Sequence, residues 1–116
     1  MEVTAATERL SALAHESRLA VFRRLVQRGP SGLAAGELAA ALGIAPPTLS
    51  FHLAHLSRAG LVVSRRQGRS ILYSADYDAI RALVGFLYEN CCGDSGCLPA
   101  QSPVAKIARR ARRSVS

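Results

Sequence analysis

Between Ala34 and Ala59 helical periodicity occurs twice, and what separates the two runs constrains the fold more than any other feature of the chain. Ala34 to Leu42 reads as a short helix stopped at Gly43, because glycine takes the positive φ that commonly closes a helix. Ile44-Ala45-Pro46-Pro47 then restarts the chain, since proline is tolerated in a first turn where its missing N–H has no partner to lose. The second helix runs to about Ala59 and sets Leu49, Leu53 and Leu56 on one face at i, i+4 and i+7. Thr48, Phe51 and His55 fall on other faces, Ser50 and His52 lie near the margins, and Gly60 ends the helix.

The flanking segments complete the pattern. Leu61-Val62-Val63-Ser64-Arg65-Arg66 and Ser70-Ile71-Leu72-Tyr73-Ser74 are β-prone and surround Gln67-Gly68-Arg69, which predicts a hairpin with glycine at the tight turn. Upstream, Leu10 and Leu13 place a helix over Thr4 to Ala14, and Leu19, Val21, Phe22, Leu25 and Val26 place another that ends at Gly29-Pro30. Downstream, Asp76 suits a helix cap, and Ile80, Leu83, Val84, Leu87 and Tyr88 carry an amphipathic helix to about Asn90. The expected fold is mainly α with a β-hairpin wing. Two short helices joined by a glycine-containing turn and followed by a basic hairpin have the order of a winged helix-turn-helix. There the second helix enters the major groove and the hairpin reaches phosphates or the minor groove.

Length and charge agree with this reading. A chain of 116 residues, 49% hydrophobic and 20% charged, holds one globular domain, whose modest core gains from burial against a second copy. The net charge of +7, carried by fourteen Arg and one Lys, points to an anionic partner such as nucleic acid, with an acidic membrane surface as the other candidate. It is unevenly distributed: Val104 to Ser116 holds +5, and Leu38 to Ala75 contains Arg58, Arg65, Arg66 and Arg69 with no acid at all. A folded acid-free stretch must present its arginines from fixed positions. The chain therefore divides into a DNA-binding and dimerisation domain over residues 1–90, a cysteine-rich segment over 91–98 and a basic tail over 99–116.

The candidate DNA contacts are Pro47, Thr48, Ser50 and Phe51 on the second helix and Arg65, Arg66 and Arg69 around the hairpin. Hydroxyls at Thr48 and Ser50 suit phosphates or base edges, and Phe51 either touches a thymine methyl or packs within its own domain. The arginines suit the phosphate backbone, the alternative being a solvated charge cluster. His52 is expected to be a satisfied structural histidine and His55 plain surface.

Cys91, Cys92 and Cys97 lie within seven residues, and Gly93 and Gly96 give the backbone freedom to bring the sulfurs together. No apolar run spans a bilayer and Met1-Glu2-Val3-Thr4 opens no secretory leader, so the expected compartment is the cytoplasm, without a membrane role. Thiols there stay reduced, and three cannot all pair within one chain. They suit thiophilic ions. Trivalent arsenic or antimony binds three thiolates in a pyramid, whereas zinc needs a fourth ligand. A thiol redox or electrophile switch is the further alternative. No Cys-x-x-Cys on a βαβ pattern and no phosphate-cradling glycine loop is present, so an enzyme is not expected.

Leu13-Ala14-His15-Glu16-Ser17-Arg18-Leu19, the run from Leu49 through Gly60 to Val62, and Arg66-Gln67-Gly68-Arg69-Ser70-Ile71-Leu72-Tyr73 together resemble the ArsR/SmtB family of bacterial metal-responsive repressors. The resemblance covers about residues 5 to 90, with two departures. His15-Glu16 stands where the family often has Asp-Pro, and Ala45 supplies no side-chain cap. It implies a homodimer joined through the first and last helices, binding double-stranded operator DNA and released by an inducer. The family's familiar inducer positions are empty here: Glu37 to Ala41 has no cysteine, and the last helix has no histidine beside Asp76 and Asp78. Cys91, Cys92 and Cys97 are then the thiols available to As(III) or Sb(III), making the expected protein an arsenic(III)-responsive repressor.

Overall fold

The computed structural model describes residues 1–91. Its elements are α1 (Val3–Leu13), α2 (Glu16–Arg28), β1 (Leu33–Ala34), α3 (Ala35–Leu42), α4 (Pro46–Arg58), β2 (Val62–Gln67), β3 (Ser70–Ala75) and α5 (Tyr77–Tyr88). The fold is mainly helical with an antiparallel hairpin wing, as the spacing predicts. The sheet has one strand more than expected. In the order β1-β3-β2, Leu33 and Ala34 pair with Tyr73 and Leu72, while β2 and β3 run in register from Val62↔Ala75 to Gln67↔Ser70. The hairpin turn is Gly68-Arg69, with Gly68 at φ 62°.

Local chemistry sets the boundaries. His15 takes the cap position of α2, its Nδ1 accepting from the Ser17 N–H at 3.1 Å, so an imidazole performs the usual carboxylate task. Arg18 Nε then donates to the Ala12 carbonyl at 2.7 Å and fastens α2 to the end of α1. Glu37 reaches back to the Ala34 N–H at 3.2 Å. That is half of a capping box, because Ala34 has no side-chain oxygen to return the bond. At α4, Ala45 offers no side-chain cap. The cost is small, since Pro46 and Pro47 remove two of the N–H groups a cap would serve. Asp76 caps α5 by accepting from the Ala79 N–H at 3.1 Å. That helix ends at Tyr88, short of Asn90, which takes φ 57°.

One apolar cluster joins α2, α3, α4 and the base of the sheet. Val21, Leu25, Leu38, Leu49, Leu56 and Leu61 are fully buried in it, each contributing about 1.5–3 kcal/mol of transfer free energy. Leu49, Leu53 and Leu56 thus clamp α4 by its inner face and leave the outer face to solvent. Long-range bonds hold α5: Arg9 Nη1 donates to the Ala79 carbonyl at 2.9 Å, and the Tyr77 hydroxyl to the Val26 carbonyl at 3.0 Å, with the Leu25 carbonyl at 3.4 Å. α1 and α5 pack together, yet Val3, Leu10 and Leu87 remain exposed on them.

Candidate nucleic-acid interface

The outer face of α4 follows from its inner one. With Leu49, His52, Leu53 and Leu56 buried, helical geometry turns Pro47, Phe51, Ala54 and Arg58 outward as one stripe at i, i+4, i+7 and i+11, and all four are exposed. Thr48 and Ser50 are exposed on its flanks. Phe51 is 61% exposed, so packing within its own domain does not explain it. Its ring meets His52 and His55 only edge-on, at centroid distances of 6.1 and 6.3 Å. Arg58 belongs to this surface and is not among the contacts expected from the sequence, although its spacing from Pro47 and Phe51 is the signal that finds it.

The three hairpin arginines, alike in the sequence, are not alike in the structure. Arg65 is exposed but braced: Nη1 donates to the Pro30 carbonyl and Nη2 to the Ser31 carbonyl, both at 2.8 Å. It ties the wing to the loop before β1 and keeps other N–H donors for a ligand. Arg66 and Arg69 are exposed and enter no ion pair among the described residues, where the one salt bridge joins Arg81 to Asp78 at 3.2 Å. The acid-free run therefore places Arg58 at the end of α4 and Arg66 and Arg69 on the wing, none of them in an ion pair among the described residues.

The histidines depart from expectation. His52 is buried, 5% exposed, as expected of a structural histidine, but its Nδ1 has no hydrogen-bond partner among the described residues and so is not satisfied there. Burial lowers its pKa from the usual imidazole value, and the charges of His15, Arg18 and His55 lower it further. His55 is half-buried rather than plain surface, and its Nδ1 is also enclosed and unpartnered. Desolvation lowers its pKa as well, followed by Arg18 and Arg58. Beside it, Thr7, Glu8, Ser11, His55, Arg58 and Ala59 line a cleft of about 340 Å³ between α1 and the last turn of α4.

Of the proposed inducer ligands, Cys91 is half-buried just past α5, while Cys92 and Cys97 lie outside the described residues, as does the basic tail. Among the described residues no group of three or more His, Cys, Asp or Glu is placed to hold a metal ion. None of the described helices is long and apolar enough to cross a membrane.

A short helix, a glycine turn, a second helix with an exposed outer stripe and a basic hairpin define a winged helix-turn-helix transcriptional regulator. Residues 13–65 match a helix-turn-helix domain family. The chain is 35% identical over 83 residues to the HTH-type transcriptional regulator YgaV of Escherichia coli (strain K12), covering 72% of this chain and 82% of that one. Its fold is similar to that of an ArsR-like transcriptional regulator from Rhodococcus sp. RHA1, with TM-score 0.66 and 27% identity over 72% of this chain and 76% of that one. A homodimeric winged helix-turn-helix DNA-binding domain, Mb0332 from Mycobacterium bovis, described as a possible ArsR-family regulator, gives TM-score 0.62 and 30% identity over 78% and 83%. Reduced HlyU from Vibrio cholerae N16961 gives 0.57 and 29% over 77% and 90%. The chain belongs to the ArsR/SmtB-like family of winged helix-turn-helix transcriptional regulators.

Proposed function

We propose that the protein is a homodimeric, cytoplasmic repressor that binds operator DNA through α4 and the wing and is released by chemistry at its cysteines. The observation that carries the DNA part is the exposed stripe of α4 together with the exposed Arg66 and Arg69 of the wing, arginines that enter no ion pair among the described residues. Val3, Leu10 and Leu87 supply an apolar surface on α1 and α5 for a second copy, and the likeness to a homodimeric domain supports this pairing. Two-fold symmetry then calls for a pseudo-palindromic site with the α4 helices about 34 Å apart.

For the inducer the reading is trivalent arsenic or antimony held by Cys91, Cys92 and Cys97. What supports it is chemical: three thiols match a pyramidal three-thiolate ion, and Cys91 stands at the end of α5, beside the dimer surface. Binding there needs a coupling of only about 1–3 kcal/mol to change operator affinity about 5- to 150-fold. A second reading, release by thiol oxidation, is supported by the likeness to a regulator solved in a state described as reduced.

Gel shift on the DNA upstream of the protein's own gene tests all of this. Retardation by the untreated protein supports operator binding, and its absence at low salt sinks it. Loss of the shift with arsenite in wild type but not in single Cys→Ser variants supports the metalloid reading. Release by peroxide, reversed by a thiol reductant, with no response to arsenite, supports the second.

A further inference from the structure

All three histidines of the chain meet where α4 packs against the start of α2. The rings of His15 and His52 lie 4.9 Å apart, tilted by 52°, and His55 follows His52 by one turn of α4. We propose that this cluster is a proton-binding site: protonation of His52 loosens α4 from α2 and weakens operator binding in mildly acidic solution. The proposal rests on reading α4 as the DNA-contacting helix.

The argument is geometric. His52 is buried under α4, and its enclosed Nδ1 has no hydrogen-bond partner among the described residues. A proton placed there creates a buried N–H that nothing accepts and a buried charge that nothing pairs. Every group bearing on it has the wrong sign or none: His15 from the cap, Arg18 from α2, and His55 from α4 itself. His55 faces Arg18 and Arg58, and the one carboxylate lining its cleft is Glu8 of α1. Glu16 in the first turn of α2 is exposed. The other elements packed on α4 bring no charge to bear on either imidazole: Glu37 of α3 holds the Ala34 N–H, and Arg65 of β2 holds the Pro30 and Ser31 carbonyls.

The sign follows from these lowered pKa values. The closed packing prefers neutral imidazoles, so its full stability is present above the ordinary value of about 6.5. It is lost as pH falls from there through the lowered values, and levels off below them. Protonation thus selects an arrangement in which α4 has left its seat.

Fluorescence anisotropy of the full-length protein on its operator, at fixed salt between pH 8 and 5, tests this together with NMR titration of the imidazoles. The expected dissociation constant rises on acidification by up to about tenfold per pH unit for each proton taken up. His52→Gln and His15→Gln should both flatten that rise, and should His52→Gln fail to fold, His15→Gln decides alone. By NMR, His52 should titrate below the ordinary range while amides of α2 and α4 shift in step. An equal pH dependence in wild type and variants, or affinity that climbs in acid, overturns the proposal. No binding at pH 7.5 refutes the operator reading instead, and the NMR titration then decides the proton site without DNA.

Discussion

Gly32 occupies a place that no other residue fills without moving the backbone. Its φ is +78°, and a Cβ built there falls 2.6 Å from the Tyr73 carbonyl oxygen, which belongs to the strand that β1 pairs with. Gly32→Ala should therefore cost at least about 1–2 kcal/mol for the left-handed conformation alone, with a further penalty as β1 lifts from β3. Urea denaturation measures the sum, and an unchanged midpoint would show that the loop yields freely. Gly29, also at positive φ but with open space around its Cβ direction, provides the comparison: Gly29→Ala should show only the conformational part.

At the scale of elements, helices and hairpin are legible in the sequence because their causes are local. Leucine spacing, Gly43, Pro46 and the Gly68 turn act within a few residues of themselves. β1 is not legible, since a two-residue strand exists only through pairing with Tyr73 and Leu72, far along the chain. The division of labour among the wing arginines is equally hidden. Nothing in Arg65-Arg66 distinguishes the two until the fold brings the Pro30 and Ser31 carbonyls to Arg65. The enclosure of His55 escapes the sequence for the same reason, because the cleft beside it needs α1. These differences predict separable phenotypes. The pair Arg66→Ala and Arg69→Ala should weaken operator binding and lower the salt slope by about one unit for each phosphate no longer bound, with thermal stability unchanged. Arg65→Ala should lower thermal stability as well, because it releases the wing from the loop before β1. Anisotropy across a salt series, paired with thermal melts, separates the two.

At the scale of the whole molecule, Val3, Leu10 and Leu87 are exposed on the first and last helices, while the other exposed large apolar residues among the described ones are spread over α2, α4 and the wing. Leu10 is 43% exposed and Leu87 57%, on two helices that pack together. Leu10→Asp with Leu87→Asp should shift the protein to monomer in analytical ultracentrifugation and abolish cooperative binding to a two-half-site operator, while a single half-site is still bound weakly. A dimer that survives both changes would place the contact elsewhere.

Among the described residues, the strand order β1-β3-β2 leaves β2 with one flank that no strand covers. Such a flank is a template for any other extended chain, its own copies included. Arg65 is held at the Pro30 and Ser31 carbonyls, but Arg66 is an exposed charge on this strand and hinders two wings from zipping together at high concentration. Lysine at position 66 would keep that repulsion. A neutral, β-branched residue there would trade a weaker operator contact for a protein prone to aggregate through its wing.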